Sequence, residues 1–276
     1  MASSPLPSSL RMGCVSLNVQ DIEEVTEFYQ AAGLGILKKG KNSLILGYGK
    51  REILSLAKTN LPRAPQNGAG LYHVAIVHAS QEELAKSIKN LFEKFPDNFT
   101  GPADHLVSEA FYFSDPEGNG LELYYDRPRS TWQWVNGKIV MDTKYLDPLQ
   151  YIKHADGKGS KEKHVGHVHL KVGDIEKAKE FYVDVLGFEI TADSWPGALF
   201  ISAGKYHHHI GLNIWHSRGA GKRKEELGLS DFEIIIPKAA IESLKKRLED
   251  KNLQFKREKS KIIINDQWNN TILFKG

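Results

Sequence analysis

The sequence predicts an α+β protein assembled from four βαβββ modules. Three observations predict it. First, CVSLNVQDIEEVTEFY (Cys14 to Tyr29) aligns without a gap on HVHLKVGDIEKAKEFY (His167 to Tyr182), with Val15, Leu17, Val19, Asp21, Ile22, Glu23, Glu27, Phe28 and Tyr29 recurring in the second copy. Second, each copy opens with a strand-like alternation of period two and passes into an amphipathic helix. Third, another unit also occurs twice, as GLYHVAIVHASQEELAKSIKNLFEK from Gly70 and GLSDFEIIIPKAAIESLKKRLEDK from Gly228.

The elements follow in order. In the opening strand of the first unit type, Val168, Leu170 and Val172 point one way, and His167, His169 and Lys171 the other. An aspartate comes next, Asp21 or Asp174, placed to cap a helix. The helix runs to Gly33 or Gly187, which stops it. SLILGYG and REILSLA in the first copy, and ALFISAG and HHIGLNIW in the second, read as strands.

The second unit type gives a strand, a helix and further strands that end in related phrases. These are SDPEGNGLELYYD from Ser114 and NDQWNNTILF from Asn265. The DPEGNG run is a tight turn that re-launches the chain into a strand. Modules therefore start near Met12, Gly70, Val165 and Gly228. The expected layout is a loose tail over 1–11, a first domain over 12–128, a connector over 129–163 and a second domain over 164–276. The connector is polar, with Gly157, Gly159 and several lysines near its end, while Trp132, Trp134 and Tyr145 predict that its first part packs down.

Composition sets the outer bounds. With 276 residues, 41% apolar and 26% charged, the chain has the make-up of a soluble globular protein with a sizeable core. A net charge of +3 gives no indication of a nucleic-acid partner, and the lysine runs at Lys222 to Lys224 and Lys256 to Lys261 read as solvated loops. Cys14 is the single cysteine, so no disulfide forms within the chain. The opening MASSPLPSSLRM lacks the apolar stretch of a signal peptide, and no apolar run is long enough to span a bilayer. These features predict a cytoplasmic protein without a membrane partner.

The phrases GLYHVAI, DHLVSEAFYFSDPEGNGLELYYDRPRSTWQ, GHVHLKVGDIEKAKEFYVDVLGF and SAGKYHHHIGLNIW are more specific than any short motif. On them the chain, from Met12 to Phe274, resembles the vicinal oxygen chelate superfamily, and more closely its two-domain bacterial catechol-2,3-dioxygenase group. The resemblance implies that the modules form two vicinal oxygen chelate barrels, with metal ligands on the first and last strands of modules, facing into a cupped sheet. It implies an iron(II) extradiol dioxygenase that cleaves a catechol, an aromatic diol, with dioxygen. It leaves self-association into a homo-oligomer open.

Four first-strand positions carry Cys14, His73, His167 and Asp231, and the last strands of modules two and four carry Glu122 and Leu273. The resemblance implies a set of two histidines and one glutamate, with the glutamate on the last strand of a module that also supplies a first-strand histidine. His73 and Glu122 meet that condition, and His167 completes the set. The set requires module two to share a barrel with module three. The matching place in the other barrel, Cys14, Asp231 and Leu273, is then vestigial, because leucine cannot ligate.

Two imidazoles and a carboxylate on one face suit iron(II), with manganese(II) as the alternative; zinc also binds such a set but has no redox role. Further roles rest on the same resemblance. A histidine of the YHHH run acts as acid or base, with His208 the best match and His207 or His209 one register step away. Tyr112 donates to a substrate oxygen, and His105, His209 and Asn213 line the substrate pocket. Trp215 and Arg129 are candidates for its mouth. Two other classes stay open on this scaffold: a metal-dependent isomerase or thiol transferase, and a non-catalytic small-molecule binding protein.

Overall fold

The computed structural model describes residues 5–276. Module one comprises β1 (Arg11–Val19), α1 (Ile22–Ala31), β2 (Gly35–Lys39), β3 (Ser43–Tyr48) and β4 (Arg51–Lys58). Module two comprises β5 (Gly70–His78), α2 (Gln81–Lys94), β6 (Phe99–Asp104), β7 (Ser108–Ser114) and β8 (Gly120–Asp126). A hairpin of β9 (Trp134–Val135) and β10 (Lys138–Ile139) and the one-turn helix α3 (Pro148–Tyr151) lead to module three. That module has β11 (Lys163–Lys171), α4 (Ile175–Lys179) continued by a π-helical stretch over Glu180–Val185, then β12 (Glu189–Ala192), β13 (Ala198–Ser202) and β14 (Ile210–Asn213). Module four has β15 (Gly228–Ile235), α5 (Lys238–Asp250), β16 (Lys256–Glu258), β17 (Lys261–Asn265) and β18 (Thr271–Lys275).

The repeated phrases explain the repeated elements. Asp21 caps α1 by accepting from Glu24 N, and Asp174 caps α4 by accepting from Lys177 N, both at 3.0 Å. Gly33 and Gly187 end the helices at φ +93° and +91°, a conformation open to glycine at little cost.

Two curled eight-stranded sheets result. One has the order β16-β17-β18-β15-β1-β4-β3-β2, and the other β12-β13-β14-β11-β5-β8-β7-β6. Module two thus pairs with module three, and module one with module four, as the proposed ligand set demands. Each half of the sequence, 12–128 and 164–276, gives one module to each sheet, so the sheets cut across the halves. The expected alternation holds: Val168, Leu170 and Val172 are fully buried in a continuous apolar core that also takes Val15, Leu17, Val74 and Ile76 from the other strands at the sheet centres. His167 and His169 turn to the opposite, cupped face.

Two bulges shape that face. Gly166 is the extra residue of β11 against β5, and a Cβ there would stand 1.7 Å from the Tyr124 hydroxyl, so only glycine admits the tyrosine. On β5, Tyr72 is the extra residue opposite His169 and Leu170.

Two expectations need correction. Of the tail, residues 1–4 lie outside the described residues, but Leu6 and Leu10 are buried and Leu6 N donates to Gly187 O at 2.9 Å. The physical reason is that two leucines in a polar run suffice to pin it against module three. In the connector, Trp132 is buried and Trp134 packs beside it, yet Tyr145 is 76% exposed. The backbone there is held instead by the bridge between Lys144 and Asp104.

Candidate metal centre

The pairing of β5 with β11 sets His73 beside His169 and Ala75 beside His167. On the other side of β5, the parallel strand β8 sets Glu122 beside Ala75. The small Ala75 leaves the space above itself free, and three side chains converge there. His73 Nε2 lies 2.9 Å from Glu122 Oε2, His167 Nε2 lies 3.1 Å from the same oxygen, and the two imidazole nitrogens are 3.3 Å apart. Among the described residues, this is the one group of three such side chains with ligand atoms close enough to share a metal ion.

The residues fit an ion. Ligands about 2.1 Å from a metal and at right angles to one another stand about 3 Å apart, close to the three edges seen here. All three side chains are buried, and an enclosed carboxylate without a cation is costly. Burial alone raises the Glu122 pKa, yet His167 and His73 hold it well below the usual carboxylate range. Burial drives His167 down to about 4 against the pull of Glu122, so its ring is neutral. The His167 Nδ1 is buried without a hydrogen-bond partner among the described residues. Packing fixes that ring, between His208 at 4.0 Å and Tyr124 at 5.1 Å, centroid to centroid.

A cavity of about 910 Å³ opens over the group, lined by His73, Glu122, Tyr112, His105, His169 and His208 among others. Tyr112 stands opposite Glu122 on β7, and its hydroxyl lies 2.7 Å from His105 Nε2. Burial and then the charge of Glu122 push that phenol well above its ordinary range. His105 Nδ1 lies 2.8 Å from Asp142 O, which fixes the ring. His208 faces the cavity, and burial and its neighbouring imidazoles keep it far below the ordinary histidine pKa. Behind it, His207 Nδ1 lies 2.7 Å from His208 Nδ1, and His207 Nε2 lies 2.9 Å from Asp126 Oδ1.

Two of the three residues expected to line the substrate pocket do not line the cavity. His209 turns away, its Nδ1 held by Ser202 Oγ at 3.0 Å and by Ala203 N at 3.3 Å. β14 starts only at Ile210, so residues 207–209 lie in a bend where strand alternation does not decide the face. Asn213 is fully buried beneath the site and donates from Nδ2 to His169 Nε2 at 3.0 Å, so it orients a cavity residue without being one. Arg129 stacks on Trp132 and Tyr206, away from the cavity, whereas Trp215 does line it. The stretch after Trp215 is tied down, with Ser217 Oγ donating to Val172 O at 2.8 Å and His216 on the cavity wall.

Residues that sequence reasoning passed over include His169, Asp126, Tyr124 and Tyr206. His169 was legible as the same-face neighbour of His167. Asp126 and Tyr124 alternate with Glu122 along β8, but Tyr206 reaches them only through the fold: its hydroxyl donates to Asp126 Oδ2 at 2.8 Å and lies 2.7 Å from that of Tyr124.

In the other sheet, the matching place is filled. Asp231 accepts from Ser16 Oγ at 3.0 Å, and Glu233 forms an ion pair with Lys275 beside Cys14. Burial, then Glu233, drives the Cys14 thiol up to about 12.

Comparison with known proteins agrees with this architecture. Residues 165–195 match the bleomycin resistance protein-like N-terminal family. Catechol-2,3-dioxygenase of Bacillus subtilis (strain 168) is 40% identical over 239 residues, covering 82% of each chain. Glyoxalase I from Zea mays shares the fold, with a TM-score of 0.60 at 15% identity over 97% of this chain and 92% of that one. The cppA protein of Streptococcus pneumoniae TIGR4 does so with a TM-score of 0.56 at 13% identity, covering 100% and 99%. By its repeated modules, its two curled sheets and its extended similarity to the Bacillus protein, the chain belongs to the vicinal oxygen chelate superfamily, in the family of that catechol-2,3-dioxygenase.

Proposed function

We propose that the protein is an iron(II)-dependent extradiol dioxygenase that cleaves a catechol ring with dioxygen, and that His73, Glu122 and His167 hold the metal. The observation that carries this reading is the triangle of ligand atoms, 2.9, 3.1 and 3.3 Å on its sides, at the floor of an aromatic-walled cavity. Two neutral imidazoles and one carboxylate leave a divalent ion with one net positive charge and leave its other positions open to the cavity. When bound, iron(II) supplies the redox chemistry that links the electron-rich ring to dioxygen. Manganese(II) suits the same ligands.

The chain's own residues do the rest. Tyr112, whose hydroxyl proton is accepted by His105 Nε2 in the free protein, redirects that proton to one oxygen of the diol. His208, neutral because it is buried, accepts a proton from substrate at its cavity-facing nitrogen and returns it to the opened product. His207 holds the opposite nitrogen of that ring, and Asp126 holds His207. Tyr72, Phe200 and Trp215 exclude water from the faces of a flat ring.

The test is anaerobic loading with iron(II), followed by catechol and air. The expected outcome is a yellow ring-opened semialdehyde with one dioxygen consumed per catechol. Iron-loaded protein that takes up no oxygen with a panel of catechols overturns the reading. Turnover of a thiol adduct or an isomerisable substrate with zinc, and none with iron, points to the isomerase or transferase class instead.

A further inference from the structure

Lys171 stands apart in the cavity. Among the described residues lining it, Lys171 is the sole lysine or arginine, and Glu122, already engaged by His73 and His167, the sole carboxylate. The lysine amine makes no ion pair among the described residues, and its one hydrogen bond is a long one, 3.5 Å to Gln66 O. Glu226, the acid whose charge acts on Lys171, is itself engaged by Arg223 Nε at 2.8 Å, and the rest of that guanidinium serves Asn270 Oδ1 and Leu229 O. Burial, and then Arg223, depress the Lys171 pKa, and the charge of Glu226 offsets this only in part.

Its position relative to the metal group is set by the strand. His167, His169 and Lys171 alternate onto one face of β11, and β14 pairs with this stretch without a register shift. Each step of two residues advances about 7 Å. Lys171 therefore lies one step beyond His169, which itself stands opposite the ligand His73. The wall between is aromatic: Tyr72 and Trp215 meet the His169 ring at 5.0 and 5.7 Å between centroids. Beyond the lysine is a second hollow of about 410 Å³ that shares Gln66, Leu71, Gly118 and Lys171 with the first.

We propose that the substrate is a catechol with an anionic side chain, a carboxylate on a short arm, and that Lys171 receives that carboxylate while the diol faces His73, Glu122 and His167. This rests on the dioxygenase reading for the placement of the diol. The ring lies along the aromatic wall, and the arm and the lysine stem together span the remaining distance. Lys171 is thus a specificity residue that selects for charge at the far end of the ring.

Two ligands of equal length separate charge from shape: 3-(3,4-dihydroxyphenyl)propionate and 4-propylcatechol. Their dissociation constants are measured by calorimetry on the iron-loaded protein without oxygen. The expected result is at least about tenfold tighter binding of the propionate, equivalent to about 1.4 kcal/mol. Lys171→Gln brings the ratio to about one, and Lys171→Arg keeps most of it. A wild-type ratio of one or below, or a ratio retained in Lys171→Gln, overturns the proposal. Should the glutamine variant misfold, raised salt provides a second readout on the wild-type protein, since screening must erode the preference for the propionate and leave 4-propylcatechol unaffected. A preference indifferent to salt overturns it equally. Oxygen uptake, followed separately, keeps the two readings distinct. Uptake on both compounds with no charge preference removes the lysine subsite and leaves the dioxygenase; a Lys171-dependent preference without uptake on either does the reverse.

Discussion

Glu122 is an enclosed carboxylate with two imidazoles against a single oxygen, and in the proposed metal site that arrangement makes this one side chain the deciding ligand. Replacement by glutamine keeps the shape and removes the charge. Glu122→Gln is expected to lower iron(II) affinity by more than about 100-fold, beyond the effect of losing an outer partner, as read by anaerobic competition with a chelator. Unchanged affinity would remove Glu122 from the ligand set. His208 tests the opposite property. It touches the His167 ring but supplies no atom to the triangle, so His208→Phe is expected to keep the metal and to lose about 10²- to 10⁴-fold in turnover. Equal kcat in both proteins would move the proton-transfer role to another residue.

Among the elements, the repeated turns carry a function that their sequences only half reveal. Asp115 Oδ1 accepts from Glu117 N and Asn119 N at 2.9 and 2.8 Å, and Asp266 Oδ1 accepts from Trp268 N and Asn270 N, both at 2.8 Å. Each aspartate also receives the hydroxyl of the tyrosine that ends the repeated EFY phrase: Tyr29 donates to Asp115 at 3.4 Å, and Tyr182 to Asp266 at 3.0 Å. A helix of one sheet is thereby latched to a turn of the other.

Burial raises the Asp115 pKa from 3.8 to about 6, against the pull of the turn amides. A carboxyl raised in the folded state favours folding when protonated. Its contribution is full below about pH 4 and is lost as pH rises through about 6. Relative to Asp115→Asn, the wild-type protein is therefore expected to lose up to about 3 kcal/mol between those limits, the equivalent of about two pKa units. Urea unfolding of both proteins across that range measures the difference, and parallel stability curves would contradict it. The turns and the EFY phrases were both legible as repeats, but neither announced that it was the other's partner, because they lie 86 and 84 positions apart.

In the whole molecule, the governing fact is that each sheet takes one module from each half of the chain. The proposed metal group inherits this, with His73 and Glu122 from the first half and His167 from the second. Residues 12–128 and 164–276, produced separately, are expected to bind no iron tightly, and co-production is expected to restore an iron-binding complex that purifies as one species. Iron bound by the first half alone with the affinity of the intact chain would break the link between topology and site. Among the described residues no helix is long and apolar enough to cross a membrane.

The sequence by itself determined the module count, the helix caps at Asp21 and Asp174, the stops at Gly33 and Gly187, and the repeat positions of His73, Glu122 and His167, which a family resemblance singled out. All are short-range patterns or matched repeat positions, and backbone geometry translates these directly into structure. It could not orient 207–209, because a bend has no fixed side-chain period, nor foresee that His209 and Asn213 would turn behind the wall. Only the tertiary structure joined Tyr206 to Asp126, aimed Tyr29 at Asp115 and set Lys171 on the cavity wall with no ion pair among the described residues. Those outcomes depend on which strands lie side by side, and that is settled by burying the whole apolar surface at once, not by any segment alone.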